Sequence, residues 1–264
     1  MPGFDDVRRS DPASESPMVL VKNVSKTFGE ISAVTEASFA VDQGKLAGMI
    51  GSDGAGKTTL LRIIATMIPP TSGSVIVSGM DAVTRRDAVK ALLGYMPQRF
   101  GLYPDLTVDE NLDFFMDIYG LTGAERSRRR EKYLGFSHLT PFVRRKAGDL
   151  SGGMKQKLAL ACVLIHQPRL LILDEPTNGV DPVSRQEFWE ILAEMKASGM
   201  TLLVSTAYLD EGENFDRLVI LHKGRILAQG TPEAVCSGYP DLETAMIKRI
   251  ETVDAGLAEE RFAL

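Results

Sequence analysis

The chain has little of several things that would narrow its chemistry quickly. It carries two cysteines, Cys162 and Cys236, far apart, in no CxxC pair and beside no histidine cluster. That argues against a disulfide framework and against a zinc site, and fits a reducing cytosol. No apolar run approaches the ~18 residues that a bilayer-spanning helix needs. The opening stretch MPGFDDVRRSDPASESP has no apolar segment and has prolines at 2, 12 and 17, so residues 1–17 read as a disordered polar lead without a signal peptide. Positive charge is not in excess: the net charge is −5, which does not suggest a nucleic-acid partner. The one basic run, RSRRR at 126–130, reads as a solvated helix face. No internal repeat is visible.

What is there suffices for one ample core, or one core with a small subdomain, since 44% of the 264 residues are hydrophobic. From Met18, MVLVKNVSKTFG alternates apolar and polar residues like a half-buried strand, and ASFAVDQG at 37–44 does the same. KLAGMIG at 45–51 is nearly continuous and apolar, as buried parallel strands are. KTTLLRIIATM at 57–67 has helical spacing and stops before Pro69 and Pro70. GSVIVSG at 73–79 is a further strand. Residues from about 87 to 167 are longer, polar-faced and helical, like a helical insertion in an α/β domain. Strands return with RLLILDE at 169–175 and TLLVST at 201–206, separated by a helix. DRLVILHKGRILAQG at 216–230 reads as a hairpin turning at Lys223 and Gly224. Beyond Thr231 an amphipathic helical tail is expected. The domains predicted are the lead at 1–17, a main α/β domain at 18–236 with its helical subdomain at about 87–167, and the tail at 237–264.

GSDGAGKT at 51–58 fits G-x-x-x-x-G-K-[ST], with a buried strand before it and a helix after. That order serves phosphate binding. Glycines let backbone N–H groups wrap the phosphates, and the helix N-terminus adds partial positive charge. The expected nucleotide-binding residues are Gly51, Ser52, Asp53, Gly54, Ala55, Gly56, Lys57, Thr58 and Thr59. Lys57 supplies a formal charge and the Thr58 hydroxyl a ligand for Mg²⁺. LLILDE then places two acids at a strand's C-terminal end, where ligands sit in open α/β sheets. Asp174 is expected to hold the metal and Glu175 to act as general base on the attacking water. The GTPase alternative predicts an N-K-x-D base reader; TNGVD at 177–181 is not one, and none occurs elsewhere.

A second helix start follows a hundred residues later, in DLSGGMKQKLALA at 149–161. A lone Ser-Gly-Gly is ordinarily just a cap. A chain with its own phosphate loop has a simpler use for another anion-binding helix end, which is to close on a second molecule's nucleotide. LSGGMKQ resembles the signature motif of ABC transporters. With GSDGAGKTT, LLILDEPTNGVD and the YMPQ glutamine Gln98, all four motifs fall in the order of an ABC-type ATPase subunit, over about residues 18–235. The resemblance implies an α/β P-loop NTPase core with a mixed sheet, an N-terminal antiparallel β subdomain and a helical subdomain bearing the signature. It implies ATP and Mg²⁺ as ligands and a head-to-tail dimer in which Ser151, Gly152, Gly153 and Gln156 of one protomer meet the other's nucleotide. It assigns Phe28 to stack on adenine, Gln98 to Mg²⁺ or the attacking water, and Asp181 to the dimer interface. By sequence alone Phe28 fits the core equally well, and Gln98 an exposed loop. QRFGLYPDLTVDENLDFF at 98–115 resembles ATPases paired with ABC-2-type exporters of drugs and polyketides. The implied partners are separate membrane-spanning permease subunits and a second ATPase, identical or different, at the cytoplasmic face of the membrane; no nucleic acid is expected.

One position departs from the family pattern. Members usually carry a histidine after the strand that here reads LLVST, and in VSTAYLDEGE its place is taken by Ala207. If strand geometry persists, Tyr208 faces away from the site, and His138, His166 and His222 lie in no matching context. A positioned acid–base group contributes about 10²–10⁴-fold to a rate, so the site is expected to bind ATP and turn it over slowly. The STAY variant also resembles the first of two fused ATPase halves in some exporter subunits. Three readings follow: an exporter's ATPase engine, a low-turnover regulatory clamp paired with a histidine-bearing ATPase, and a soluble ABC-type protein acting on ribosomes or DNA. The last is disfavoured by the negative charge and the single cassette.

Overall fold

The computed structural model describes residues 16–262, with side chains up to 254. The expected polar lead therefore lies outside the described residues except for its last two positions. Among the described residues ten strands form two sheets. The first is antiparallel, in the order β2–β1–β4–β5, from β1 (Val19–Phe28), β2 (Ile31–Val41), β4 (Ser72–Val77) and β5 (Met80–Asp81). The second has the order β10–β9–β3–β8–β7–β6. In it β3 (Leu46–Ile50), β6 (Leu93–Met96), β7 (Leu170–Asp174), β8 (Thr201–Thr206) and β9 (Arg217–His222) run parallel, and β10 (Arg225–Gly230) pairs antiparallel with β9 at the edge.

Alternation along the central strands divides the interior in two. Ala47, Met49, Leu170, Ile172, Leu203, Val219 and Leu221 face one core with α1 (Lys57–Ile64) and the antiparallel sheet. Their neighbours Leu46, Ile50, Leu171, Leu173, Leu202, Val204, Leu218 and Ile220 face a second core. That core is filled by α3 (Val108–Ile118), α4 (Gly123–Phe136), α5 (Gly152–Leu164) and α6 (Pro182–Ala197). Every residue of β3, β7 and β8 is buried, which is why these strands read as unbroken apolar runs.

Two expectations are corrected. The stretch 87–167 is not wholly helical: after the short α2 (Arg86–Lys90), β6 enters the main sheet beside β7. Its four residues, LGYM, are too few for periodicity to reveal. The basic run in α4 is not a free solvated face. Arg126 and Arg130 both reach Asp113 of α3, and Arg129 pairs with Glu125 and caps the Ile165 carbonyl, so the run ties helix to helix. The predicted hairpin is present, with Lys223 (φ 46°) and Gly224 (φ 78°) both left-handed as a tight two-residue turn requires. The tail is helical, as α7 (Pro232–Cys236) and α8 (Leu242–Phe262).

Candidate active site

The glycine loop leaves the C-terminal end of β3 and is walled on both sides by distant parts of the chain. A Cβ at Gly51 would stand 2.4 Å from the Leu221 carbonyl oxygen, and one at Gly56 (φ 104°) would stand 2.6 Å from that of Ala33. Only glycine permits that approach. The Gly224 N–H donates to the Ala55 carbonyl (3.0 Å), and the Thr35 N–H to the Gly224 carbonyl (2.8 Å), so the β9–β10 turn is clamped between loop and β2. No side chain caps α1, which leaves its first N–H groups facing the cavity. That cavity is about 370 Å³ and is lined by Ala33, residues 53–59, Gln98 and Glu175. Gly51 and Ser52 stand behind it and give their carbonyls to the Lys57 ammonium, at 2.6 and 3.1 Å.

Lys57 also forms a buried ion pair with Glu175, at 3.0 Å. The second oxygen of Glu175 accepts from Gln98 Nε2 (3.0 Å) and Asn178 Nδ2 (3.3 Å). Gln98 is thus exposed and at the site together. The Glu175 backbone is left-handed (φ 51°), and its N–H is held by the carbonyl (3.2 Å) and hydroxyl (3.0 Å) of Ser205. Asp174, 1% exposed, lies just beneath. Its Oδ1 accepts from Thr58 Oγ1 (3.0 Å) and Ser205 Oγ (2.8 Å), and its Oδ2 from Tyr95 Oη (3.3 Å). Burial, then the Asp174 charge, push the Tyr95 hydroxyl up to about 12, so it remains a donor. The Thr58–Asp174 pair offers hard oxygen ligands of the kind Mg²⁺ takes. Among the described residues no three His, Cys, Asp or Glu cluster as a metal cage, so a cation here needs phosphate oxygens or water as well.

Sequence reasoning missed Ser205, Tyr95 and Asn178. Ser205 had a signal, being a polar residue in a fully buried strand; its partner emerges only from the register Asp174↔Ser205. Phe28 is 49% exposed, with the Lys26 ammonium 5.1 Å from its ring centroid. That removes the core alternative, although Phe28 does not itself line the cavity. β8 ends at Thr206. Ala207 is exposed, and the Tyr208 ring lies under the Arg185 guanidinium at 5.0 Å; neither lines the cavity, nor does His138, His166 or His222.

The second helix start stands apart. Ser151 caps α5 by accepting from the Met154 N–H (3.3 Å). Ser151 and Gly152 are exposed, Gln156 is half-buried, and none lines the cavity of its own chain. Gly153 is pressed against α6, where a Cβ would come within 2.3 Å of Ser184 Cβ. Asp181 caps α6 through the Ser184 N–H (3.0 Å), a bond that holds its carboxyl below the ordinary range.

Comparison with known proteins gives the arrangement its context. The family model described as ABC transporter matches residues 34–178. The probable multidrug ABC transporter ATP-binding protein YbhF of Escherichia coli K12 is 48% identical over 203 residues, covering 77% of this chain and 35% of that protein. The chain thus spans about a third of YbhF's length. The linearmycin resistance ATP-binding protein LnrL of Bacillus subtilis is 36% identical over 221 residues, covering 83% of this chain and 71% of that one. Among solved structures, a dimeric ATP-binding cassette in a post-hydrolysis state with ADP and Pi superposes with a TM-score of 0.73 at 27% identity, covering 81% of this chain and 98% of that chain.

Proposed function

Since the chain belongs to the ATP-binding proteins of the ABC transporter family, we propose that it is the ATP-hydrolysing subunit of an exporter, driven by nucleotide-dependent dimerisation. The proposed cargo is a drug, lipid or other small hydrophobic compound, and the relatives' names, multidrug transport and linearmycin resistance, support the drug among these. Among the described residues no helix is long and apolar enough to cross a membrane. In this reading the permease is a separate membrane-spanning subunit, and this chain docks on it at the cytoplasmic face.

The observation that carries the reading is the Lys57–Glu175 pair inside the glycine-loop cavity. ATP phosphates entering along the α1 N-terminus compete with Glu175 for the Lys57 charge. The freed carboxylate, still steered by Gln98 and Asn178, takes a proton from the attacking water as general base. Thr58 and Asp174, with Gln98 from the cavity lining, would hold Mg²⁺, which neutralises charge on the phosphates when bound. Phe28 offers an exposed ring to the adenine. The open start of α5, with Ser151, Gly152, Gly153 and Gln156, completes the site of a second ATPase, and Asp181 lies on the same face. The test is size-exclusion chromatography of Glu175→Gln with Mg-free ATP. A monomer that becomes a dimer supports the reading; an ATP-bound monomer at all concentrations overturns self-dimerisation.

One observation favours a second reading, a low-turnover subunit of a heterodimer. Ala207 supplies no acid–base group, and Tyr208 is held under Arg185 away from the cavity. Steady-state ATP turnover of the purified chain decides: a rate like that of histidine-bearing cassettes rules this reading out.

A further inference from the structure

Glu211 is a buried carboxylate that the proposed hydrolysis does not use. It lies in the short 3-10 helix Leu209–Asn214 after β8 and is 2% exposed. Its Oε1 accepts from Thr177 Oγ1 at 2.8 Å and from Trp189 Nε1 at 3.0 Å. Its Oε2 is equally buried and accepts no hydrogen bond from the described residues. One oxygen therefore joins three elements: the turn after β7, the segment after β8, and α6.

The turn after β7 is the part that matters for chemistry. Thr177 is two residues from Glu175, and the turn between them is closed by the Asn178 N–H on the Glu175 carbonyl (3.2 Å) and the Val180 N–H on the Thr177 carbonyl (3.1 Å). Glu175 is held left-handed at φ 51°, a conformation that a glutamate keeps only when its surroundings impose it. Ser205 grips the turn at Glu175 and Glu211 grips it at Thr177. Behind Glu211, Gly212 is pressed between Leu242 and Ile50, so the grip has a packed backing.

We propose that Glu211 is a positioning residue for ATP hydrolysis, which fixes Thr177 and through it the carboxylate of Glu175. The inference rests on Glu175 being the general base. It also links the site to the open helix start, because α6, which carries Trp189, touches Gly153 through Ser184. Trp189 is the only tryptophan in the chain, so its emission reports this one network.

The test compares Glu211→Ala, Glu211→Gln and Glu175→Gln by ATP affinity, single-turnover hydrolysis and Trp189 fluorescence. Glu211→Gln keeps an oxygen that accepts from Thr177 and Trp189. Glu211→Ala is expected to bind ATP within about threefold of the parent and to hydrolyse it at least ~10-fold more slowly, since small misplacements of a reacting group cost up to about 10²-fold. Glu211→Gln should keep most of the rate. ATP should shift Trp189 emission in the parent and not in Glu211→Ala. A folded Glu211→Ala with the parent's rate and emission response overturns the proposal. Should Glu211→Ala fail to fold, Thr177→Val removes the donor instead: a slowed rate at intact affinity supports the role, and an unchanged rate sinks it. If Glu175→Gln hydrolyses as fast as the parent, the base assignment and this inference fall together. If Glu175→Gln is slow while Glu211→Ala is not, only the positioning role fails.

Discussion

The glycine-bearing helix starts of α1 and α5 are built oppositely. At α1 the start is walled by Ala33, Leu221 and Gly224, has no side-chain cap, and carries a buried ammonium. At α5 the start is exposed, capped by its own Ser151, and braced from behind by α6. The first is an anion site finished by its own chain, with its donors left unspent. The second leaves Ser151 and Gly152 exposed, and the partial positive charge of its helix end is joined by the Lys155 ammonium in the first turn. Under the proposed function one sequence element serves as a whole site at α1 and as half of one at α5, and the walls, more than the glycines, distinguish them.

The sharpest way to break the contrast is Glu175→Gln. Turnover should fall about 10²–10⁴-fold while ATP binding persists, as expected for loss of a positioned base; radiolabelled phosphate release checks it. Next is Lys57→Ala, which strands Glu175 in a buried setting. Unfolding in urea should register about 3–5 kcal/mol of lost stability, the usual result of removing one partner of a buried pair, and equilibrium binding should show ATP affinity lost as well. Gly153→Ala acts on the other helix start. Forcing a methyl against Ser184 should cost about 1–3 kcal/mol, weakening ATP-driven association while monomer ATP affinity holds; analytical ultracentrifugation separates the two. Smallest is Ser151→Ala, which removes a cap worth about 1 kcal/mol and lowers Tm by roughly 2–4 °C in a thermal melt. If it also weakened ATP binding by the isolated monomer, the two starts would not be independent.

How much of this was legible depended on how local each determinant is. The phosphate loop was readable because its glycines, Lys57 and Thr58 lie within eight residues. The pairing of Lys57 with Glu175 was not, since the two are brought together only by β3 and β7, which flank β8 in the sheet. Ser205 meets Asp174 through strand register, and Tyr95 meets it from β6, a strand hidden in a stretch that otherwise reads as helix. Gly94 of that strand has a reason that appears only in three dimensions: a Cβ there would stand 2.7 Å from Val163. The RSRRR run misled because Asp109, Asp113 and Asp117, which Arg126 and Arg130 reach, sit on α3, nine to twenty-one residues away, while Glu125 alone is local. Glu211 belongs to no motif, and only its burial and its two donors mark it.

The walls of the phosphate loop also set a timetable. β3 pairs with β8 and β9, so Ile50 meets Thr206 and Ile220, and the loop's outer clamp is Gly224. At roughly 5–20 residues per second, the ~150 residues between β3 and its first sheet neighbour take a ribosome about 8–30 s. Through that interval the glycine loop exists without its flanking strands, and β3 presents two unpaired edges that must be kept from other chains. The loop's walls are complete only once β8, β9 and the Gly224 turn have been made, so its competence to hold nucleotide is tied to their synthesis.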